Sequence, residues 1–268
     1  MGKFDMTKEE FESNLVDGTV VVQLRSEALD IVTKPAMNRE YFELLESINE
    51  SPELRGYVQM HEGHWDSRQA VQALAQFISQ DDEMYSRAGR YYGYLHEVVA
   101  SRFKNSIGRI LLTLMELDQP TVAGLRGVIS GEYLGLTLAF DARVATVDTQ
   151  IAFDNVRTGW LGSPGLTHLM PRYVGAGAAT SLIHSGSTID ASQAHAIGLI
   201  TEIVDTGEEL DERCRNKIAE IGGNHRHLAK LHRQQILPPH EEIRSALERY
   251  NDGMAKSVFA LRRSTGSS

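Results

Sequence analysis

Two short stretches of the chain concentrate side chains able to move protons. The first is His61-Glu-Gly-His64-Trp65-Asp66-Ser67, which sets two imidazoles and two carboxylates close together. The second is Gly127-Val-Ile-Ser-Gly131-Glu132-Tyr-Leu-Gly135, where one carboxylate, Glu132, stands among apolar neighbours. Imidazole titrates near neutrality, so His61 and His64 are natural acid/base groups. A carboxylate in apolar surroundings is costly unless it is paired or used, and this singles out Glu132. Asp154, with Asn155 beside it, and His168 complete the polar candidates. Each has a plainer reading: His61 and His64 as exposed loop residues, Asp154 as a solvated or capping residue, His168 as a helix-lining residue bonded locally.

Other chemistry is poorly supported. His61-Glu-Gly-His64 lacks the spacing of a zinc-binding H-E-x-x-H helix, and its glycine is poor helix material. Gly175-Ala-Gly177-Ala-Ala-Thr180 echoes a dinucleotide fingerprint but has Thr180 where the third glycine belongs. There is no G-x-S-x-G elbow and no P-loop. The single cysteine, Cys214, excludes an internal disulfide framework and a Cys-rich zinc site, and reads as a spare thiol on a polar helix. His225, His227 and His232 with Arg226, Lys230 and Arg233 form a basic patch that reads as a solvated helix face, with phosphate binding as the functional alternative.

The whole chain bounds these readings. It has 268 residues, 41% of them hydrophobic and 24% charged, so disorder, collagen and coiled-coil rods are excluded. Globular scaling buries about 73% of the unfolded surface at this length, enough for a real core. With 27 Lys+Arg against 36 Asp+Glu the net charge is −9, which disfavours a nucleic-acid partner. No run approaches the length of a membrane span, and the first 14 residues lack a signal-peptide core, so a cytoplasmic protein without a membrane partner is expected.

Strands are expected at residues 19–25, 56–60, 121–129, 142–147 and 199–204. Helices are expected from Pro35 to before Pro52, over much of residues 68–117, at 132–140, 175–184 and 190–197, and in the charged C-terminal segment to about Leu261. Asp190 is a plausible N-cap. Gly159-Trp-Leu-Gly-Ser-Pro-Gly165 reads as a loop. Strands alternating with helices indicate an α/β layer fold.

The central succession is a strand, a glycine run, a short apolar helix ending in Asp, another strand, a Pro-Gly loop, R-x-x-G, and A-x-x-A-x-x-x-G-L. It resembles the crotonase family, the enoyl-CoA hydratase/isomerase superfamily. The residues that carry the resemblance are Gly127, Gly131, Ala139, Asp141, Arg143, Ala145, Arg172, Val174, Gly175, Ala191, Ala194, Gly198, Leu199 and Val204, laid on without a gap over residues 120–205. The resemblance implies a ββα spiral, with residues 1–205 as the α/β core and 206–268 as a C-terminal helical association region, in trimers or hexamers. It further implies an acyl-CoA or related thioester substrate, no separate cofactor or metal, and an enolate held by two backbone N–H groups. One donor would be the N–H of Glu132, at the start of the short helix after Gly131, where the helix dipole adds positive potential. The other would lie in the loop near Trp65 and Asp66.

The departures bear on the reaction. Family hydratases position water with two glutamates, and the gapless placement puts Gly135 and Asn155 at those positions. Ordinary hydration is therefore disfavoured, and Glu at both positions would be expected to restore only a trace of it. An isomerase, decarboxylase, dehydratase or C–C lyase acting through an enolate is the leading expectation, with Glu132, Asp154, Asn155, His61 and His64 as catalytic candidates and Gly131, Glu132, Trp65, Asp66 and Gly135 around the oxyanion and substrate. The alternative is a catalytically degenerate homologue that binds acyl-CoA or serves as a structural partner.

Overall fold

The structure is a computed structural model that describes residues 3–8, 11–25, 35–64, 108–159, 161–163, 165–205, 210–222 and 227–265. It opens with an antiparallel meander: β1 (Met6–Thr7), β2 (Phe11–Val16) and β3 (Thr19–Leu24). The turn between β2 and β3 has Asp17 and Gly18 both at positive φ, the geometry that suits the twist of a two-residue hairpin. The charge alternation near the N-terminus is thus a strand pattern, with Phe11 and Ser13 buried and Asn14 exposed.

α1 (Pro35–Asn49) presses Tyr41, Phe42, Leu44, Leu45 and Ile48 into the core. β4 (Gly56–His64) runs past the expected end at Met60, because it is paired on both sides, with β3 as far as His61 and with β5 as far as His64. His61 is therefore a central-strand residue, 2% exposed, and not an exposed loop residue. α2 (Arg109–Glu116) falls at the end of the helical stretch expected from the sequence, of which residues 68–107 lie outside the described residues.

β5 (Thr121–Ser130) leads directly into α3 (Gly131–Thr137), shorter than the expected 132–140. β6 (Ala142–Thr146), β7 (Gln150–Ala152) and a 3₁₀ turn at Asp154–Thr158 follow. Next come a wide helical turn at Gly165–Leu169, α4 (Met170–Val174) and α5 (Ala176–Ser185). β8 (Thr188–Asp190) pairs antiparallel with β7, and α6 (Ala191–Ala196) opens on a full capping box between Asp190 and Gln193. β9 (Glu202–Val204) starts later than expected, since Leu199 and Ile200 fold back onto the carbonyl of Ala194. α7 (Leu210–Gly222), α8 (His227–Ile236) and α9 (His240–Thr265) close the chain.

The sheet order is β1-β2-β3-β4-β5-β6-β9, parallel from β3 onward. β5 changes partner along its length. Val122–Leu125 pair with β6, and Val128–Ser130 pair with β7. The switch falls at Gly127, with φ 75° and a Cβ-less approach to the carbonyl of Gly63 opposite. Side chains cannot occupy that contact, which explains why the glycine run begins there.

The main core lies between this sheet, α1–α3 and the segments from Gly165 onward. A second cluster covers the opposite face, where Val58, Met60, Val122, Val144 and Val204 meet Leu210, Cys214 and Ile218 of α7. The sheet's packing therefore continues through α7, past residue 205. Cys214 is completely buried, and burial pushes its thiol well above the ordinary range, so it is a core residue and not a spare surface thiol. Among the described residues no helix is long and apolar enough to cross a membrane.

Candidate active site

The strand-to-helix junction at Ser130–Gly131 is the organising feature. Ser130 is the N-cap of α3, in extended conformation, and its Oγ accepts from the N–H of Tyr133 at 3.2 Å. The N–H groups of Gly131 and Glu132 are then first-turn donors with no carbonyl a turn behind them inside the helix. α3 has only two turns, so the alignment of these N–H groups matters more than any macrodipole. A Cβ at Gly131 would lie 3.2–3.3 Å from Phe153, the carbonyl of Ala152 and Leu166, so this turn is held tightly against β7.

β7 carries the next candidates to the same end of the sheet. Ser130 pairs with Ala152, and the 3₁₀ turn that follows presents Asp154, half-buried, and Asn155, 3% exposed. The backbones of Gly131 and Glu132 are thus gathered with Asp154 and Asn155, while His64 ends β4 two strand positions short of that junction, opposite Val128. Trp65 and Asp66 lie outside the described residues.

His61 sits deeper, opposite Leu125. Its ring lies tilted against that of Tyr133, with centroids 4.0 Å apart. The Tyr133 hydroxyl accepts from Gln59 Nε2 at 2.7 Å, and Gln59 Oε1 accepts from Tyr57 at 2.8 Å and from Tyr41. The hydroxyls of Tyr41 and Tyr57 are 2.9 Å apart. Burial pushes both phenols above their ordinary range, so they stay neutral and serve as hydrogen-bonding groups. Tyr133 and Gln59 thereby link the candidate helix to the middle of the sheet. The signal for them was present as alternation, since Tyr57, Gln59 and His61 fall on one face of β4.

Two candidates are placed differently from expectation. Gly135 faces the turn at Gly165–Leu169. A Cβ there would run into Ser163 Oγ and come 2.5 Å from the N–H of Leu166, and a Cβ on Gly165 would run into the carbonyl of Gly135. This is a backbone-to-backbone crossing, and a glutamate cannot be restored at 135 without moving it. His168 lies 3.3 Å from Glu242 of α9, which also receives Arg172 at 2.5 Å. Burial holds the His168 imidazolium below its ordinary pKa despite that carboxylate, and the residue joins the last helix to this turn.

Part of the basic patch resolves otherwise than as a solvated face, while His232 is exposed as expected and His225 and Arg226 lie outside the described residues. Lys230 pairs with Asp118, while Arg233 is 4% exposed, clamped on both oxygens of Asp141 and on the carbonyls of Leu117 and Gln119. It fastens α8 to the α3–β6 corner. Among the described residues no cluster of metal-ligating side chains occurs.

Comparison with known proteins agrees with this architecture. Residues 91–260 match the family model described as enoyl-CoA hydratase/isomerase. Mitochondrial methylglutaconyl-CoA hydratase of Mus musculus is 28% identical over 124 residues, 46% of this chain and 40% of that protein. The chain thus spans well under half the length of the curated relatives it matches. Among solved structures, an enoyl-CoA hydratase from Bacillus halodurans superposes with a TM-score of 0.72 at 14% identity, covering 93% of this chain and 95% of that one. DspI of Pseudomonas aeruginosa gives a TM-score of 0.63 at 20% identity, covering 97% and 96%.

Proposed function

Because the chain belongs to the enoyl-CoA hydratase/isomerase family, we propose that it binds an acyl-CoA or a related thioester and stabilises the enolate formed from it. The observation that carries this reading is the β5–α3 junction, where Ser130 caps Tyr133 and leaves the first-turn donors at Gly131 and Glu132 outside the helix ladder. A thioester oxygen placed there would accept from the N–H of Glu132 as negative charge grows on it, and fixed donors at such a point lower the barrier. The N–H partner from the Trp65–Asp66 loop completes the pair in this reading.

The reaction we infer is isomerisation, decarboxylation, dehydration or C–C cleavage. Hydration needs groups that orient and split water, and Gly135 and Asn155 supply no carboxylate for it. Glu132 is assigned the acid/base role, with Asp154, His64 and His61 next in order. The buried amide of Asn155 is assigned to substrate positioning. Association in trimers or hexamers through the C-terminal helices belongs to the same proposal. The absence of carboxylates at 135 and 155 also favours a second reading, a homologue that binds acyl-CoA without turning it over.

Calorimetry with crotonyl-CoA tests binding, and deuterium uptake at the α-carbon of butyryl-CoA in heavy water tests enolisation. The expected result is saturable binding, measurable exchange, and crotonyl-CoA hydration slower than in an ordinary hydratase by about 10⁴-fold, two acid/base groups at about 100-fold each. Glu132→Gln should abolish exchange and keep binding. Unchanged exchange in that variant moves the role to Asp154 and the histidines. Binding without exchange in the unmodified chain selects the second reading, and no binding overturns both.

A further inference from the structure

A cavity lies at the other end of β5 from the candidate active site. It has a volume of about 580 Å³ and is bounded by the Phe140–Arg143 corner, Tyr173, Thr201 and one side of α8. Asp141 belongs to this corner and receives the backbone N–H of Thr121, the first residue of β5, at 2.8 Å. The candidate active site begins beyond Ser130, the last residue of the same strand. Ten residues of strand separate the two ends, about 30 Å at roughly 3.3 Å per residue.

The buried charges at this cavity do not balance. Asp141 is fully engaged by Arg233, which donates to Oδ1 at 2.9 Å and to Oδ2 at 2.6 Å, and by Thr121. Arg143, 2% exposed, donates to the carbonyls of Leu199 at 2.6 Å, Thr137 at 3.2 Å and Phe140 at 3.3 Å, and lies over the Tyr173 ring. Its hydrogen-bond partners are neutral. Two guanidiniums thus share one carboxylate that one of them already holds, and His232 adds no negative charge. A buried cation whose nearby carboxylate is already held by another cation is costly, and an anion entering the cavity would relieve that cost.

The mouth has the opposite character. Leu228 is 38% exposed and Ile236 73% exposed, both along the cavity's lining with Leu237 and Ile221. A cavity of this size, apolar along one side and lined by two buried guanidiniums of which Arg233 is already held by Asp141, has the make-up of a small-molecule site. One net positive charge and a planar guanidinium match one carboxylate better than a phosphate, which would ask for more donors.

We propose that this cavity binds a monocarboxylate with a hydrocarbon body, its carboxylate against Arg143 and its chain along Leu228, Ile236 and Leu237. The site is separate from the thioester site and does not depend on the reaction assigned there.

Octanoate is a suitable probe, measured by calorimetry on the full chain at pH 7.5, with 1-octanol and inorganic phosphate as controls. Octanoate should bind saturably at one site per chain, at least tenfold tighter than either control, and saturating crotonyl-CoA should not displace it. Arg143→Met should reduce octanoate to the level of 1-octanol. Because that variant removes a buried residue and can fail to fold, Ile236→Glu serves beside it: the exposed position keeps the fold, and its carboxylate should weaken octanoate at least tenfold. Equal binding of octanoate and 1-octanol, tighter binding of phosphate, displacement by crotonyl-CoA, or indifference to Ile236→Glu would each overturn the proposal. So would absent octanoate binding together with a change of oligomeric state in Ile236→Glu, which would make the mouth a contact between copies of the chain.

Discussion

β4 is buried on both faces, and the two faces are built from different materials. Val58 and Met60 turn toward α7 and meet Cys214 and Ile218 in a wholly apolar layer. Tyr57, Gln59 and His61 turn the other way and form, with Tyr41 and Tyr133, a chain of hydrogen bonds and ring contact that ends under α3. Apolar packing on the first face is non-directional and tolerates exchange of similar volumes. The second face fixes orientations, because each polar group there is satisfied only by a particular neighbour. The face that fixes orientations is the one that supports the helix of the candidate site, and the adaptable one lies away from it.

The contrast can be broken by substitution. Gln59→Leu keeps the volume and removes the amide that three tyrosine hydroxyls share. It should cost about 4 kcal/mol in denaturant unfolding, since buried groups left without partners each lose about 1–3 kcal/mol. Adding Tyr41→Phe, Tyr57→Phe and Tyr133→Phe to Gln59→Leu should recover much of that loss, because removing all partners together leaves nothing unsatisfied. A neutral single variant would mean that the polar face is only filler. On the other face, Met60→Ala should cost about 3 kcal/mol through the cavity it leaves, and Cys214 should resist a thiol reagent until the chain unfolds. Tyr133→Phe alone should cost about 1 kcal/mol, the net worth of one hydrogen bond, yet lower α-proton exchange through the altered seat of His61. The smallest effect is expected outside both faces. Burial depresses His168, so the unfolded chain takes up that proton first, and stability should fall as pH drops through about 6.5. His168→Gln should flatten that slope in thermal melts at pH 5–8.

Much of the order of elements was legible. Residues 120–205 carry dense local signals: β-branched runs, Pro and Gly boundaries, and Asp190 as a cap with Gln193 at the matching position. The errors fall where partners far along the chain decide the outcome. His61 read as a loop residue because Tyr-Val-Gln-Met-His alternates like a half-exposed strand that has ended. The polar side of that strand is in fact inward, where Gln59 donates to the Tyr133 hydroxyl seventy-odd positions later and the His61 ring lies against the Tyr133 ring. β7 and β8 escaped notice because three residues carry too little periodicity, and their pairing rests on the bend at Gly127. Arg233 read as solvated because Asp141, its partner, is 92 positions away. Of the candidate site, the glycine run and Asn155 were legible, while the crossing of Gly135 with Gly165 was not, since neither glycine reveals what presses on it.

That crossing bears on how this chain can change over generations. A path to a glutamate at 135 begins with a step in which the new side chain collides with Ser163 and the turn at Gly165, so the first substitution must displace that turn before any activity can be selected. The segment from Ser163 to Leu166 has to be re-spaced first, and that change brings no catalytic advantage by itself. The two glycines act as a ratchet: they let the layers close, and once closed they bar any side chain at 135 that does not first move the turn at Gly165.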